Sequence, residues 1–200
     1  MAIYTFECGC EFDIEGDHSD LKEDGLPVID LNMLNIDYDC SRTWDLICEG
    51  KTKGVFQLES QLGRSWAKKL KPRSIEELAA LSALLRPGCL KAIVDGKSMT
   101  QHYVDRKHGK EKIEYIDDSL EPILKSTQGV LVYQEQSMKI AQVVAGFNLR
   151  EADDLRKAIG KKNANLMAEV KESFLRGAVS KDAMPRETAE KIFGLLVCLL

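Results

Sequence analysis

No apolar run in this 200-residue chain approaches the ~20 residues of a membrane-spanning helix, which excludes a helical membrane protein. The opening stretch Met1–Cys8 has neither a basic region nor an apolar core of the kind a secretory signal needs, so a cytoplasmic chain is expected. Internal repeats and low-complexity tracts are absent, and 44% hydrophobic with 30% charged residues excludes a disordered or fibrous chain. Conventional zinc spacing is also missing. Cys8 and Cys10 are separated by one residue, where structural zinc sites use two to four. With His18, and a fourth ligand from Cys40, Cys48 or an acid, they form an incomplete zinc candidate. In a cytoplasmic setting the six cysteines (8, 10, 40, 48, 89 and 198) are thiols or ligands rather than a disulfide framework.

What is present is an uneven distribution of charge. The formal net charge is −4. Residues 1–49 hold 13 acidic and 2 basic residues, residues 50–115 hold 7 acidic and 14 basic, and residues 116–200 hold 12 of each. A middle third at +7 inside an acidic chain fits either a polyanion contact or a solvated helical surface.

Apolar periodicity predicts a mainly α chain behind a short β or irregular segment at residues 1–35, with the remainder, 36–200, helical. Tyr4–Phe12 alternates loosely, and Pro27–Leu31 reads as a short buried strand around Asp30. Ser41 or Thr43 is placed to cap a helix that stops at Gly50. Residues 55–71 carry Leu58, Leu62, Trp66 and Leu70 at helical spacing, with Trp44 and Trp66 on core-facing stripes. Ser74 and Glu77 form a capping box that opens a helix ending at Pro87-Gly88. Further helices are expected at 98–107, 119–126, 133–145, 150–159, 163–179 and 185–200, with Gly146 a break and Pro185 in a first turn.

Five runs in order carry a family signature: Thr52–Ser60, Leu85–Gly88, Tyr103–Lys110, Gly129–Gln136 and Glu151–Lys162. Together they resemble the fingers region of the alpha (catalytic) subunit of bacterial DNA polymerase III, over about residues 36–193. The module around Cys8-Gly9-Cys10 looks more like phage-encoded members. The resemblance implies a helical fingers domain of a DNA-directed DNA polymerase, a nucleotidyltransferase that extends a primer 3′ end. It implies primer–template DNA and deoxynucleoside triphosphates as partners, other polymerase subunits or split chains beside it, no membrane, and a bacterial cytoplasm or an infected host cell. It also implies Mg2+, held mainly by palm aspartates, of which the paired Asp-x-Asp motif has no room in this chain. After Phe193 the family continues into a motif like Gly-Phe-Asn-Lys-Ser-His, whereas Gly194–Leu200 is apolar, as expected of an interrupted gene or split subunit with a surface for a partner.

The same resemblance assigns candidate sites. The pair Arg156 and Lys157, with Lys161 and Lys162, is expected at the incoming triphosphate, where cations must meet phosphate oxygens. Cellular members often have two arginines, so Lys157 keeps the charge without the planar fork. The competing reading is a cationic helix end that offsets the helix dipole. Lys53, Arg64, Lys68 and Lys71, in a basic segment with Lys51, Lys69 and Arg73, are candidates for DNA backbone, as are Arg86, Arg106 and Lys107. His108 reads as a surface residue. Tyr133, Gln134, Glu135 and Gln136 form either an active-site wall or a structural network. Asp30 is a candidate catalytic carboxylate, although Val28 stands where the family has lysine and the stretch from Asp30 to the fingers is short. Asp37 and Asp39 mimic an acidic pair but fall where the family caps a helix. The alternative to a polymerase segment is a non-catalytic DNA-binding module that needs a palm partner.

Overall fold

The computed structural model describes the backbone of Ala2–Thr5 and Glu11–Ile14, and residues 38–161, 164–182 and 184–199. The fold is mainly α, and its two compact units meet in sequence between Ala79 and Ala80.

The first unit begins with an antiparallel pair, β1 (Ala2–Thr5) and β2 (Glu11–Ile14), in the register Ala2↔Ile14 to Thr5↔Glu11. The strand expected at Pro27–Leu31 lies outside the described residues. Helix α1 (Ser41–Cys48) starts at Cys40, which makes no side-chain cap, rather than at a capping Ser41 or Thr43. Trp44 and Ile47 are its buried residues, and the Trp44 indole N–H donates to the Tyr38 carbonyl at 2.9 Å. Helix α2 (Gln61–Leu70) packs on α1 and buries Trp66 and Leu70. It is shorter than the periodicity predicted. Ser60 caps it by accepting from the Gly63 N–H at 3.0 Å, and residues 52–59 form a tied loop in front of it.

That loop hangs on Thr52, which is fully buried. Its hydroxyl donates to the Leu58 carbonyl at 2.7 Å, and its own carbonyl accepts from the Val55 N–H at 3.1 Å. Leu58 therefore joins the core from a turn, and Leu62 is exposed. At the entry to α3 (Ile75–Leu84) the predicted box forms with a shift. The Glu77 N–H donates to Ser74 Oγ at 3.3 Å, while the Glu77 carboxylate accepts from the Arg73 N–H at 2.7 Å.

In the second unit Pro87 ends one helix and also opens the next, α4 (Pro87–Lys91), because its missing N–H costs nothing in a first turn. A two-residue hairpin, β3 (Ile93–Val94) and β4 (Lys97–Ser98), follows. Its turn is Asp95-Gly96, both at positive φ, the chemistry such hairpins favour. Helix α5 (Met99–Lys107) leads to a short 3-10 turn, α6 (Glu121–Leu124) and a second 3-10 turn.

The core is built by α7 (Gln134–Ala145), α8 (Leu149–Lys161), α9 (Ala164–Asp182) and α10 (Arg186–Leu199). Phe174 of α9 is fully buried, edge-on to Phe147 and tilted against Phe193, with centroids 6.0 and 5.5 Å away. Helices α7 and α9 cross closely at Gly177, where a side-chain carbon would run into the Ala145 carbonyl. Within the apolar C-terminal run, the described side chains divide between core and surface. Leu196 is fully buried in this core beside Ile192 and Phe193, and Val197 is exposed. Among the described residues no helix is long and apolar enough to cross a membrane.

Candidate nucleotide and nucleic-acid interface

Helix α8 is fixed at its start by a reciprocal cap. The Glu151 N–H donates to Asn148 Oδ1 at 3.0 Å, and the Asn148 N–H donates to the Glu151 carboxylate at 2.8 Å. Ala152, Leu155, Ala158 and Ile159 face the core. That phase leaves Asp153, Arg156 and Lys157 toward solvent, one helical turn apart. Arg156 binds Asp153 Oδ1 through Nε at 2.9 Å and Nη2 at 2.8 Å, and Lys157 Nζ lies 2.7 Å from Asp153 Oδ2. The two cations share one carboxylate. Lys157 and then Arg156 hold the Asp153 carboxyl below its usual range, and Asp153 in turn raises Lys157. Their side chains are 36% and 48% exposed, so an anion from solution can reach both. Lys161 ends α8, and Lys162 lies outside the described residues.

The basic segment of the first unit is partly spoken for. Lys51 pairs with Glu49, Arg73 with Asp45, and Lys69 Nζ sits 4.4 Å over the Trp66 ring. Lys71 occupies the left-handed cap position of α2. Lys53, Arg64 and Lys68 are exposed and carry no ion pair among the described residues. Arg64 and Lys68 lie one turn apart on α2, and the Lys68 stem covers Gly50.

In the second unit Arg86 is exposed at the entry to α4. Arg106 is turned inward. Its side chain is 12% exposed, with Nε 2.7 Å from Glu111 Oε1 and Nη1 donating to the Gln128 carbonyl at 3.1 Å. Glu111 also meets His102 Nδ1 at 2.8 Å, while His102 Nε2 lies 2.9 Å from the Val94 carbonyl. Lys97 spans Asp105 at 2.8 Å and Glu111 at 3.5 Å. Burial pushes the Glu111 carboxyl up, but hydrogen bonds from His102 and Arg106 outweigh it and leave the group below its usual range. Lys97 does the same for Asp105. This network walls a cavity of about 600 Å³ that also takes in Lys112 and Tyr115. The sequence reading missed it; its signal was the buried side of α5, His102 and Asp105, facing the acid at 111. Lys107 is half-buried, and His108 is on the surface as expected.

The expected wall at 133–136 divides. The Gln136 carbonyl accepts from the Val132 and Tyr133 N–H groups at 2.9 and 3.0 Å, and its amide donates to the Ile123 carbonyl at 3.1 Å and Thr127 Oγ1 at 2.8 Å. All four of its hydrogen-bonding positions are used, so Gln136 belongs to a structural network. Gln134 and Glu135 are exposed, and Tyr133 is half-buried. Among the described residues no group of three or more His, Cys, Asp or Glu side chains is arranged to hold a metal. The described residues therefore do not fit a Mg2+ site. Asp30, Asp37, Cys8, Cys10 and His18 lie outside them. Cys40, Cys48 and Cys89 are not disulfide-bonded.

The finger domain of the bacterial DNA polymerase III alpha subunit matches residues 20–182 as a family. The DNA polymerase III subunit alpha of Aquifex aeolicus is 48% identical over 165 residues, which is 82% of this chain and 14% of that protein. That of Halalkalibacterium halodurans is 43% identical over 167 residues, 84% of this chain and 14% of the relative. That of Pasteurella multocida is 43% identical over 181 residues, 88% of this chain and 15% of the relative. The chain thus spans about one seventh of the length of these curated relatives. It belongs to the family of the bacterial DNA polymerase III alpha subunit and carries the finger domain of that family.

Proposed function

We propose that this chain is the fingers segment of a replicative DNA polymerase and that Arg156 and Lys157 of α8 receive the triphosphate of an incoming deoxynucleotide. The observation that carries this reading is the two cations held side by side on Asp153, half-exposed, on a helix fixed by its cap. A triphosphate offers more acceptor oxygens and more charge than one carboxylate. It can therefore take the arginine fork and the ammonium from Asp153 without reorganising the helix. Lys161 and Lys162, which follow in the sequence, are proposed to add positive charge toward the same triphosphate. Lys53, Arg64, Lys68 and Lys71, with Arg86 and Lys107, are proposed to hold DNA backbone. Arg106 enters this reading through its network, which fixes α5 beneath Lys107. Tyr133, Gln134 and Glu135 are proposed to border the nucleotide.

The proposal leaves the metal chemistry to carboxylates outside the described residues; Asp30 is the candidate within this chain. Palm subunits or split chains are the proposed partners, in a cytoplasmic setting. The reading predicts that R156A weakens deoxynucleotide binding in the presence of primer–template about 10- to 100-fold, the worth of a charged hydrogen bond. DNA affinity should stay within about twofold. Titration calorimetry for the nucleotide and fluorescence anisotropy for the DNA separate the two. A loss of DNA affinity with nucleotide binding unchanged defeats the assignment.

A further inference from the structure

Phe56 is the most exposed of the large hydrophobic residues among those described, at 84%, with Val55 and Leu62 also open to solvent. An aromatic ring so placed loses free energy to water unless something covers it. Its backbone is not loose. Phe56 and Gln57 are the central residues of a turn closed by the Leu58 N–H on the Val55 carbonyl at 3.1 Å. Gln57 stands at φ 62°, a left-handed conformation that a side chain adopts only at a cost. Thr52 ties the turn from beneath, and Gly63 lets the turn pack on α2, since a side-chain carbon there would strike the Gln57 carbonyl. The fold thus spends strain and a close backbone approach on holding an apolar ring outward.

The charge on the loop that carries the ring and on the helix behind it selects the occupant. Lys53 lies three residues before it, and Arg64 and Lys68 stand on the helix against which the turn packs; all three lack an ion pair among the described residues. The exposed acid of the loop is Glu59. An apolar protein surface satisfies the ring but leaves three cations without partners. Single-stranded DNA satisfies both, because every unpaired base has an apolar face and every linkage carries a phosphate. We propose that Phe56 is a stacking platform for an unpaired base of a template strand, whose backbone runs along Lys53, Arg64 and Lys68.

The inference rests on the proposed DNA-binding role of those three cations, and the test separates the two. Fluorescence anisotropy compares a blunt duplex with the same duplex bearing a 5′ single-stranded overhang, for the wild-type chain, F56A, F56W and R64E/K68E. F56A should lose about 5- to 100-fold in affinity for the overhang substrate, the value of one stacked base, and stay within about twofold on the blunt duplex. Because the side chain is exposed, F56A should fold, as circular dichroism will show. F56W should restore the affinity, and its added indole emission should be quenched by the overhang and not by the blunt duplex. Equal losses of F56A on both substrates, or no loss on either while R64E/K68E loses both, overturn the stacking role and leave the basic face standing. Retention of DNA affinity by R64E/K68E overturns the basic face itself. Self-association that F56A abolishes with DNA binding unchanged overturns the proposal in favour of a protein occupant.

Discussion

Glu111 gathers the Arg106 guanidinium, the His102 imidazole and, more distantly, the Lys97 ammonium. His102 and Arg106 are 6% and 12% exposed at the side chain, so neither can recover its lost hydration if the acid is removed. E111Q is expected to cost about 1–3 kcal/mol in urea unfolding at neutral pH, the penalty for leaving buried donors poorly matched. The same cluster sets a pH dependence. Asp105 and Glu111 both titrate lower in the fold than in an unfolded chain. Their stabilisation is therefore complete above the ordinary carboxylate range, about pH 4–5, and is lost as the pH falls through the folded-state values. Urea midpoints taken from pH 7 down to pH 3 should show this decline, and E111Q should flatten it. An unchanged profile in E111Q would mean that other carboxylates dominate acid unfolding. At this scale the sequence was read unevenly. The pair at 156–157 was singled out by the family resemblance, while the solvent-facing side of α8 could be read from the core phase of Ala152, Leu155 and Ile159. Gln136 looked equally available for a ligand; only its four partners, drawn from residues 123–133, show that it has no capacity left.

Elements were legible wherever a periodic apolar stripe met an explicit stop. Helix α7 ends at Gly146, which takes the left-handed cap at φ 69°, and α9 and α10 follow their stripes closely. The misread stretch is 55–60. Leu58 falls on the stripe of α2, yet it is buried from a turn because Thr52 captures its carbonyl. A long-range choice of that kind leaves no mark on local spacing. The Asp95-Gly96 hairpin was missed although its turn signal is strong, because two-residue strands are too short to show alternation. Two glycines inside helices test the packing of elements directly. Gly177 allows α9 to approach α7, whereas Gly194 on α10 faces open space. G177A should destabilise by about 1–3 kcal/mol, since the added methyl group forces the helices apart. G194A should stabilise by about 0.5–1 kcal/mol through helix propensity alone. Thermal unfolding of both variants decides it. Stabilisation by both variants would mean that the α7–α9 crossing is not tight.

For the whole molecule the relevant quantity is where charge sits, not the net of −4. Residues 1–49 repel a polyanion and residues 50–115 attract one, so any DNA binding must be local and screened by salt. Two cations of the middle third, Lys51 and Arg73, are paired with acids of the first region, Glu49 and Asp45, which the count of +7 leaves out. The formal excess of +7 therefore overstates the cations open to phosphate. The exposed cations that carry no ion pair among the described residues include Lys53, Arg64 and Lys68, together with Arg86, Lys91, Lys110 and Lys112 of the second unit. Each phosphate contact releases condensed counterions, so each lost cation should flatten the plot of log affinity against log salt by about 0.7–0.9. K53A, R64A and K68A are each expected to show that change on a primer–template of any sequence. K51A and R73A, which already have partners, should change the slope by a small fraction of it. Anisotropy titrations between roughly 50 and 200 mM salt cover the range over which such contacts are read. If K51A and R73A flatten the slope as much as R64A does, their ion pairs open on binding, and the electrostatic footprint is the full charge of the segment rather than its unpaired part.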